Sequence, residues 1–438
     1  MTLPQSWFAR DARGWTCAPP DGDAAAFHRR LPGYAATPLV EAPGLAAELG
    51  VGRLFVKDES ARFDLRAFKF LGASWAGLRA VAARTGYAGP AALDGLRAHL
   101  RDRETAGDAD LALVTATDGN HGRAVARTAR LLGLPARVYL PKIAPAVVID
   151  RICAEGARIT VVDADYDGAV AAARSDADGA AGRVLIQDTA WPGYEEVPSW
   201  IVDGYETMFA EIDAQLAAAG VSALDLLSVQ VGVGSLAQAA VAHYRSSALA
   251  ASARPRLLSV EPDTAACVLR SLADGALVSV PTDATVMNGL NCGTPSSIAW
   301  PYLRDGLDAA IAVTDDEARA AIADLTSAGV AAGPSGAAGL AGLRAALTGA
   351  DAATRRRDLG LHTGPGLHTG PGLDTDLGLH TGPGLDTGPG LDTGPGLDTG
   401  PGLDTDLGLG PGPGPGNGDG SPTVVVCICT EGPLADEH

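Results

Sequence analysis

D-L-L-S-V-Q-V-G-V-G-S-L-A-Q-A, residues 225–239, decides the architecture. Residues 225–232 form an apolar run that reads as a buried strand. The chain then turns on Gly232 and Gly234 and continues as an Ala- and Leu-bearing helical pattern. Both glycines let the backbone come close to a ligand. The amides through Ser235, with the helix dipole behind them, suit a phosphate. A tight strand–helix turn with no ligand accounts for the same residues. The dinucleotide spacing G-x-G-x-x-G is absent because position 237 is Ala, and no P-loop lysine follows. A mononucleotide-sized phosphate is the better match.

The alternation extends outward. Strand-like runs occupy 54–59, 111–116, 136–141, 157–162, 183–188 and 256–262, with a β-branched run, TVVVCICTEG, at 423–432. Ala-rich amphipathic stretches such as GRAVARTARLLG (122–133) separate them. Near-continuous apolar strands between helices predict an α/β fold with parallel sheets covered on both faces. Ligands bind such sheets at the carboxyl ends of the strands.

The chain has 438 residues and a net charge of −19, which argues against a nucleic-acid groove. It holds no apolar run long enough for a membrane span. Its first residues, MTLPQSWFARDARGW, lack an apolar signal core, and its six cysteines show no metal spacing. A reduced cytoplasmic compartment is expected. Gly (56) and Pro (29) are in excess, and the excess is local. From Leu361 to Gly408 a unit L-[DH]-T-G-P-G or L-D-T-D-L-G recurs eight times. A hexapeptide β-helix shares that period. But Pro removes a ladder donor, Gly costs backbone entropy, and Leu is the only sizeable apolar side chain. Disorder is therefore predicted for 358–420, as an insertion before the last core strand. The rest is a normal size for a two-lobed enzyme.

Three further segments hold chemistry. T-D-G-N-H-G (117–122) follows a strand and opens a helix. Asn120 and the loop amides can bind polar ligand atoms. For His121 the plainer reading, a helix-start residue satisfied by backbone, is preferred to a proton shuttle. Asp118 can be a helix cap, yet the neighbouring Gly and Asn already make the turn, so its carboxylate is an added element. In VKDESARFDLRAFKFLGAS (56–74), Lys57 reads as a surface or ion-pair residue. Lys69 lies between Phe68 and Phe70. Apolar surroundings would lower its amine pKa and suit bond formation to a carbonyl; a snorkelling lysine is the plainer reading. Asp188 ends its strand and can cap the next turn.

Taken together, the lysine after A-F, the G-N-H-G loop and the glycine cup, in this order, resemble the pyridoxal-phosphate enzymes of the tryptophan synthase β-subunit fold. More narrowly they resemble the diaminopropionate ammonia-lyase family. The stretches that carry the likeness also include QDTAWPGYEEVPSWIVDGY (187–205), VEPDTAACVLRS (260–271), MNGLNCGTPSSIAW (287–300) and ICTEG (428–432). Ala67 and Asp118 stand where more distant relatives tend to carry small hydroxyl residues. The tail C-T-E-G-P-L-A-D departs from the family's S-T-E-G-D-T-D, and the hexad repeat is no family feature.

The resemblance implies two lobes: residues 1–71 with 186–357 and 421–438 as the larger, cofactor-binding one, and 72–185 as the smaller. It implies pyridoxal 5'-phosphate bonded to Lys69, its phosphate on Gly232, Val233, Gly234 and Ser235, and its ring hydroxyl on Asn120. Cys429 or Thr430 would face the pyridine nitrogen. The implied reaction is elimination from 2,3-diaminopropionate to pyruvate and two ammonia, with Lys69, Asp118 and Asp188 as the acids and bases. A serine or threonine dehydratase-like elimination, or a non-catalytic binding protein on the same fold, are the alternatives. A homodimer with a small amino-acid substrate is expected. Cys267 and Cys292, in two of the family-like segments, are expected to approach each other near the entrance of the site.

Overall fold

The computed structural model describes residues 5–9, 12–105, 110–361 and 422–433. Its strands are β1 (Ser6–Phe8), β2 (Leu39–Glu41), β3 (Arg53–Asp58), β4 (Ala112–Ala116), β5 (Ala136–Pro141), β6 (Arg158–Val162), β7 (Arg183–Leu185), β8 (Leu226–Gln230), β9 (Arg256–Pro262), β10 (Ala309–Val313) and β11 (Val424–Cys429). They form a seven-stranded sheet, β1-β10-β9-β8-β11-β3-β2, and a four-stranded sheet, β6-β5-β4-β7. The smaller sheet is wholly parallel. In the larger, only the edge strands β1 and β2 run antiparallel to their neighbours.

β11 explains the sheet's depth. Val-Val-Val-Cys-Ile-Cys is buried at all six positions. It pairs in parallel with β3 on one side and β8 on the other. Because strand side chains alternate, Val424, Val426 and Ile428 join one core and Val425, Cys427 and Cys429 the other. The first core is built on helices Lys69–Thr85, Glu196–Ala218 and Ser235–Tyr244, the second on Pro334–Leu347 and Asp315–Ser327. Helices Lys69–Thr85 and Glu196–Ala218 cross at Gly72 and Gly204. A Cβ on Gly72 would lie 2.6 Å from a Tyr205 ring carbon, and one on Gly204 would lie 2.5 Å from the Leu71 carbonyl. That close crossing fixes the helix that begins with Lys69.

Three sequence expectations change. β10 (A-A-I-A-V) was not foreseen, because an alanine-rich run carries no strand period of its own; its burial comes from β9 beside it. β6 was expected to be covered on both faces, but it is a sheet edge with Val161 half exposed. The segment assigned to the repeat from residue 358 begins as ordered structure. Helix Ala352–Asp358 ends there, and Leu359 and Leu361 pack into the second core. The expectation for 362–420 otherwise lies outside the described residues. Replacing 362–416 with a short Gly/Ser linker is expected to preserve the circular dichroism spectrum and cofactor uptake, since loop closure changes by only about 0.6 kcal/mol per doubling of length. Leu361→Ala, by contrast, is expected to cost about 2–5 kcal/mol in denaturant unfolding, because Leu361 is 5% exposed.

The chain reaches Lys69 through a strained loop. Phe63, Asp64 and Arg66 all have positive φ, at 50°, 57° and 60°, a region costly for residues with a Cβ. A buried ionic lattice holds the loop. Arg62 contacts Glu59 and Glu211, each at 2.7 Å, and Lys57 contacts Glu211 at 2.6 Å. Lys57 is thus an ion-pair residue and not a surface one; burial pushes its pKa down while Glu59 and Glu211 oppose the shift. Two cations balance two carboxylates. Arg62→Met is expected to lower unfolding free energy by about 3–5 kcal/mol, because two buried carboxylates would then share a single cation. Denaturant titration checks it; a change below about 1 kcal/mol would show that the lattice does not hold the loop.

Candidate active site

The carboxyl ends of both sheets open on one cleft. β3 leads to Lys69, β4 to Asp118 and Asn120, β7 to Asp188, β8 to the glycine turn, and β11 to Glu431. Lys69 is the first residue of its helix. Its Nζ donates to Asp188 Oδ2 at 2.7 Å and lies 5.3 Å from the Phe68 ring. Phe68 packs on Tyr205, 4.8 Å between ring centroids. The lysine is therefore neither snorkelling nor of lowered pKa. Burial is the largest single influence and acts to lower it, but the charge and hydrogen bond of Asp188, with Tyr205, together raise it above its ordinary value and hold the ammonium. The chain has three lysines. Lys57 is locked in the ionic lattice and Lys142 pairs with Asp163 at the surface, which leaves Lys69 as the amine of the cleft.

Asp188 is 8% exposed and sits far below the ordinary carboxylate range. Burial opposes this; His121 and Lys69 lower it. His121 is itself pushed below its ordinary value by burial, so at neutral pH the Lys69 ammonium is the charge that matters. His121 Nε2 donates to the Ile186 carbonyl at 2.8 Å, which makes it the backbone-satisfied helix-start residue expected. Its Nδ1 has no hydrogen-bond partner among the described residues and lies 3.8 Å from Asp188.

Asp118 is open to solvent across the cleft. Yet the surrounding walls, and then the Asp188 charge, raise its pKa to about 7, with Lys69 opposing. The two carboxylates are split: Asp188 keeps its charge and Asp118 can hold a proton near neutrality. Tyr166, absent from the sequence reading, joins them. It accepts from Gln187 Nε2 at 2.9 Å, and burial followed by the charges of Asp188 and Asp118 raises its pKa. No spacing rule links a helix-start tyrosine at 166 to loops at 118 and 188.

The glycine turn has the shape of an anion cradle. Gly234 has φ +100°, and a Cβ there would lie 2.7 Å from Leu303 Cδ1. A Cβ on Gly232 would lie 3.1 Å from Cys292 Sγ. Among the described residues, no acceptor takes the amides of Val233, Gly234 and Ser235; they open helix Ser235–Tyr244, where such amides are free to bind an anion. The Ser235 hydroxyl is already used, donating to the Asp188 carbonyl at 2.7 Å. It ties the turn to the catalytic candidate. Two buried side-chain atoms without a partner among the described residues belong to groups beside Asp188: Tyr205 OH and His121 Nδ1. Free donors on a helix N-terminus, a lysine amine and unpartnered polar walls fit a phosphorylated carbonyl cofactor.

Asn120 Nδ2 donates to Glu431 Oε2 at 2.5 Å. Cys429 is wholly buried against helix Pro334–Leu347, and its thiol points at the Glu431 carbonyl, 3.4 Å away. Thr430 Oγ1 accepts from Gln230 Nε2 at 3.3 Å. Cys267 and Cys292 are both free thiols and both meet Gly232: Cys267 Sγ is 3.7 Å from its carbonyl, and Cys292 packs on its Cα. Among the described residues no His/Cys/Asp/Glu group could hold a metal, and no helix is long and apolar enough to cross a membrane.

These features define a pyridoxal-phosphate site on a two-sheet α/β scaffold. A family model for pyridoxal-phosphate dependent enzymes matches residues 30–356, and the chain belongs to that family. A diaminopropionate ammonia-lyase of Salmonella typhimurium is 39% identical over 305 residues, 67% of this chain and 72% of that protein. One from Escherichia coli is 36% identical over 283 residues, 64% of this chain and 69% of that protein. The crystal structure of the Escherichia coli diaminopropionate ammonia lyase in complex with D-serine superposes with a TM-score of 0.76 at 27% identity, covering 100% of this chain and 96% of that one. The same enzyme with an aminoacrylate-PLP azomethine reaction intermediate gives 0.73, again at 27% identity with the same coverage. Pyridoxal phosphate is the cofactor.

Proposed function

We propose that the chain eliminates ammonia from 2,3-diaminopropionate and yields pyruvate and a second ammonia, one water being consumed. The observation that carries this is the split carboxylate pair around Lys69. When bound, pyridoxal phosphate supplies the electron sink for the charge left at the substrate's Cα. The chain's own residues do the rest. Val233, Gly234 and Ser235 would hold the phosphate by backbone amides, and Asn120 the ring hydroxyl. Cys429 or Thr430 would stand at the pyridine nitrogen. Lys69 would bond the cofactor at rest, and its free amine would be placed in the cleft to take the substrate's Cα proton. Asp118, titrating near 7, can hand a proton to the departing β-amine, and Asp188 keeps an ionised carboxylate beside the reacting atoms.

The substrate carries one more amine than serine or threonine. The ionised Asp188 suits its charge when it arrives as an ammonium, and Asp118, titrating near 7, can take up that ammonium's extra proton and return it as the bond to Cβ breaks. The proposal extends to a homodimer, to a cytoplasmic location, and to two lobes that divide at residues 71–72 and 185–186 as the likeness implies. Purified protein should be incubated with D- and L-diaminopropionate, serine and threonine. Two ammonia per keto acid from diaminopropionate is the expected result. Keto acid with one ammonia from serine or threonine, and none from diaminopropionate, would establish a dehydratase instead. Light scattering reads the oligomeric state.

A further inference from the structure

We infer that Glu431 is a positioning residue: it pins the Asn120 side-chain amide so that its nitrogen, and not its oxygen, is offered to the cofactor ring. The inference rests on the reading of Asn120 as the ring-hydroxyl contact.

An asparagine amide can turn either end to a ligand, and only its neighbours choose between them. An ionised carboxylate accepts and cannot donate. Glu431 Oε2, 2.5 Å from Asn120 Nδ2, therefore demands the nitrogen. That nitrogen carries two hydrogens. One goes to Glu431, and the other remains for an acceptor in the cleft. The amide is set to bind an oxygen that carries charge or a lone pair, and to reject a donor at the same place. A charged acceptor on the first hydrogen also polarises the amide and strengthens its second bond.

Glu431 is held firmly enough for this. Its backbone bridges Ala67, two residues before Lys69, and its carbonyl accepts from Gly333 N at 2.9 Å. Gly289 N donates to Ser335 Oγ at 3.2 Å, which leaves the Ser335 hydroxyl hydrogen for the Glu431 carboxylate. Ser335, through both its side chain and its backbone, favours the charged form of that carboxylate. Ser335 lies in the first turn of helix Pro334–Leu347, where a negative charge is favoured. Burial pushes the Glu431 pKa up; the Ser335 bonds, then Asn120 and the Lys69 charge, work against that. A plain helix cap would need Ser335 alone. The second contact reaches from β11 of the larger sheet to the helix that follows β4 of the smaller one, so Glu431 spans the cleft.

The test is a double-mutant cycle read as pyridoxal phosphate affinity of the purified protein, with no substrate present. Glu431→Gln keeps the shape but lets the facing group donate as well as accept. It is expected to weaken cofactor binding by about tenfold, and Asn120→Ala by a similar factor. In the Asn120→Ala background, Glu431→Gln is expected to have no further effect, because its target is gone. Equal effects in both backgrounds would overturn the inference. So would an unchanged dissociation constant with a lowered thermal midpoint of the cofactor-free protein, which is what a helix cap alone predicts. Should Glu431→Gln not fold, Ser335→Ala takes its place in the cycle; it loosens the same carboxylate and must show the same dependence on Asn120. Failure to turn over diaminopropionate would count against the proposed reaction and leave this cycle readable.

Discussion

Lys69→Ala is expected to abolish covalent attachment of the cofactor and to lower turnover by a factor on the order of a thousand or more. Borohydride reduction followed by mass spectrometry of the labelled peptide checks it. A normal adduct on Lys57 or Lys142 would sink the assignment. The structure adds a second consequence. Lys69 is the ammonium that keeps Asp188 ionised at 8% exposure. Without it Asp188 must take up a proton or hold an unpaired buried charge, so the cofactor-free protein should also lose stability. Lys69→Arg separates the two roles. A guanidinium can keep the pairing but forms no bond to a carbonyl at neutral pH. It is expected to restore much of the thermal midpoint and none of the turnover.

The strands with a period of their own were readable from residues alone. Val424 to Cys429 announces a central strand, and the glycine turn at 232–234 announces a helix N-terminus at its end. What could not be read is contact between distant segments. Lys57 looks like any strand-end lysine until Glu211, 154 residues away, is placed on it. Lys69 between two phenylalanines suggests a lowered pKa; the opposite shift comes from Asp188, which no local rule brings near. Glu431 lies in the family-like stretch ICTEG, but nothing local says that its carboxylate reaches Asn120 across the cleft, and Tyr166 carries no motif signal, since a tyrosine at a helix start is common. Leu361 is the first residue of a repeat whose composition predicts no packing, yet the helix before it delivers that one leucine to the core. Burial of single residues at the ends of low-complexity stretches depends on the neighbouring element and not on the repeat.

Asp118→Asn is expected to leave cofactor affinity within about twofold of the parent and to remove most of the elimination activity, on the order of a hundredfold. The pH profile is the sharper readout. A group that acts as the acid must be protonated, and Asp118 titrates at about 7. Turnover should therefore fall as pH rises through that value, and the fall should vanish in the asparagine variant, leaving a low, flat limb. The same shift has a stability sign. Its pKa is raised on folding, so the folded state binds the proton more tightly than the unfolded chain does, and folding is opposed progressively as pH climbs from the ordinary carboxylate range to 7. Asp118→Asn should thus raise the thermal midpoint of the cofactor-free protein at pH 8 and not at pH 3.5. Asp188→Asn should do the reverse at pH 8, since it removes the depressed carboxylate that Lys69 needs. Opposite stability effects with shared loss of turnover fit two carboxylates in different roles. The two enantiomers of the substrate present Cα protons on opposite faces, which need differently placed bases, so the two variants should also differ in which enantiomer they spare. If Asp118→Asn kept a falling alkaline limb near pH 7 and full activity on both enantiomers, the acid would have to be sought elsewhere in the cleft, with Tyr166 next to be tested.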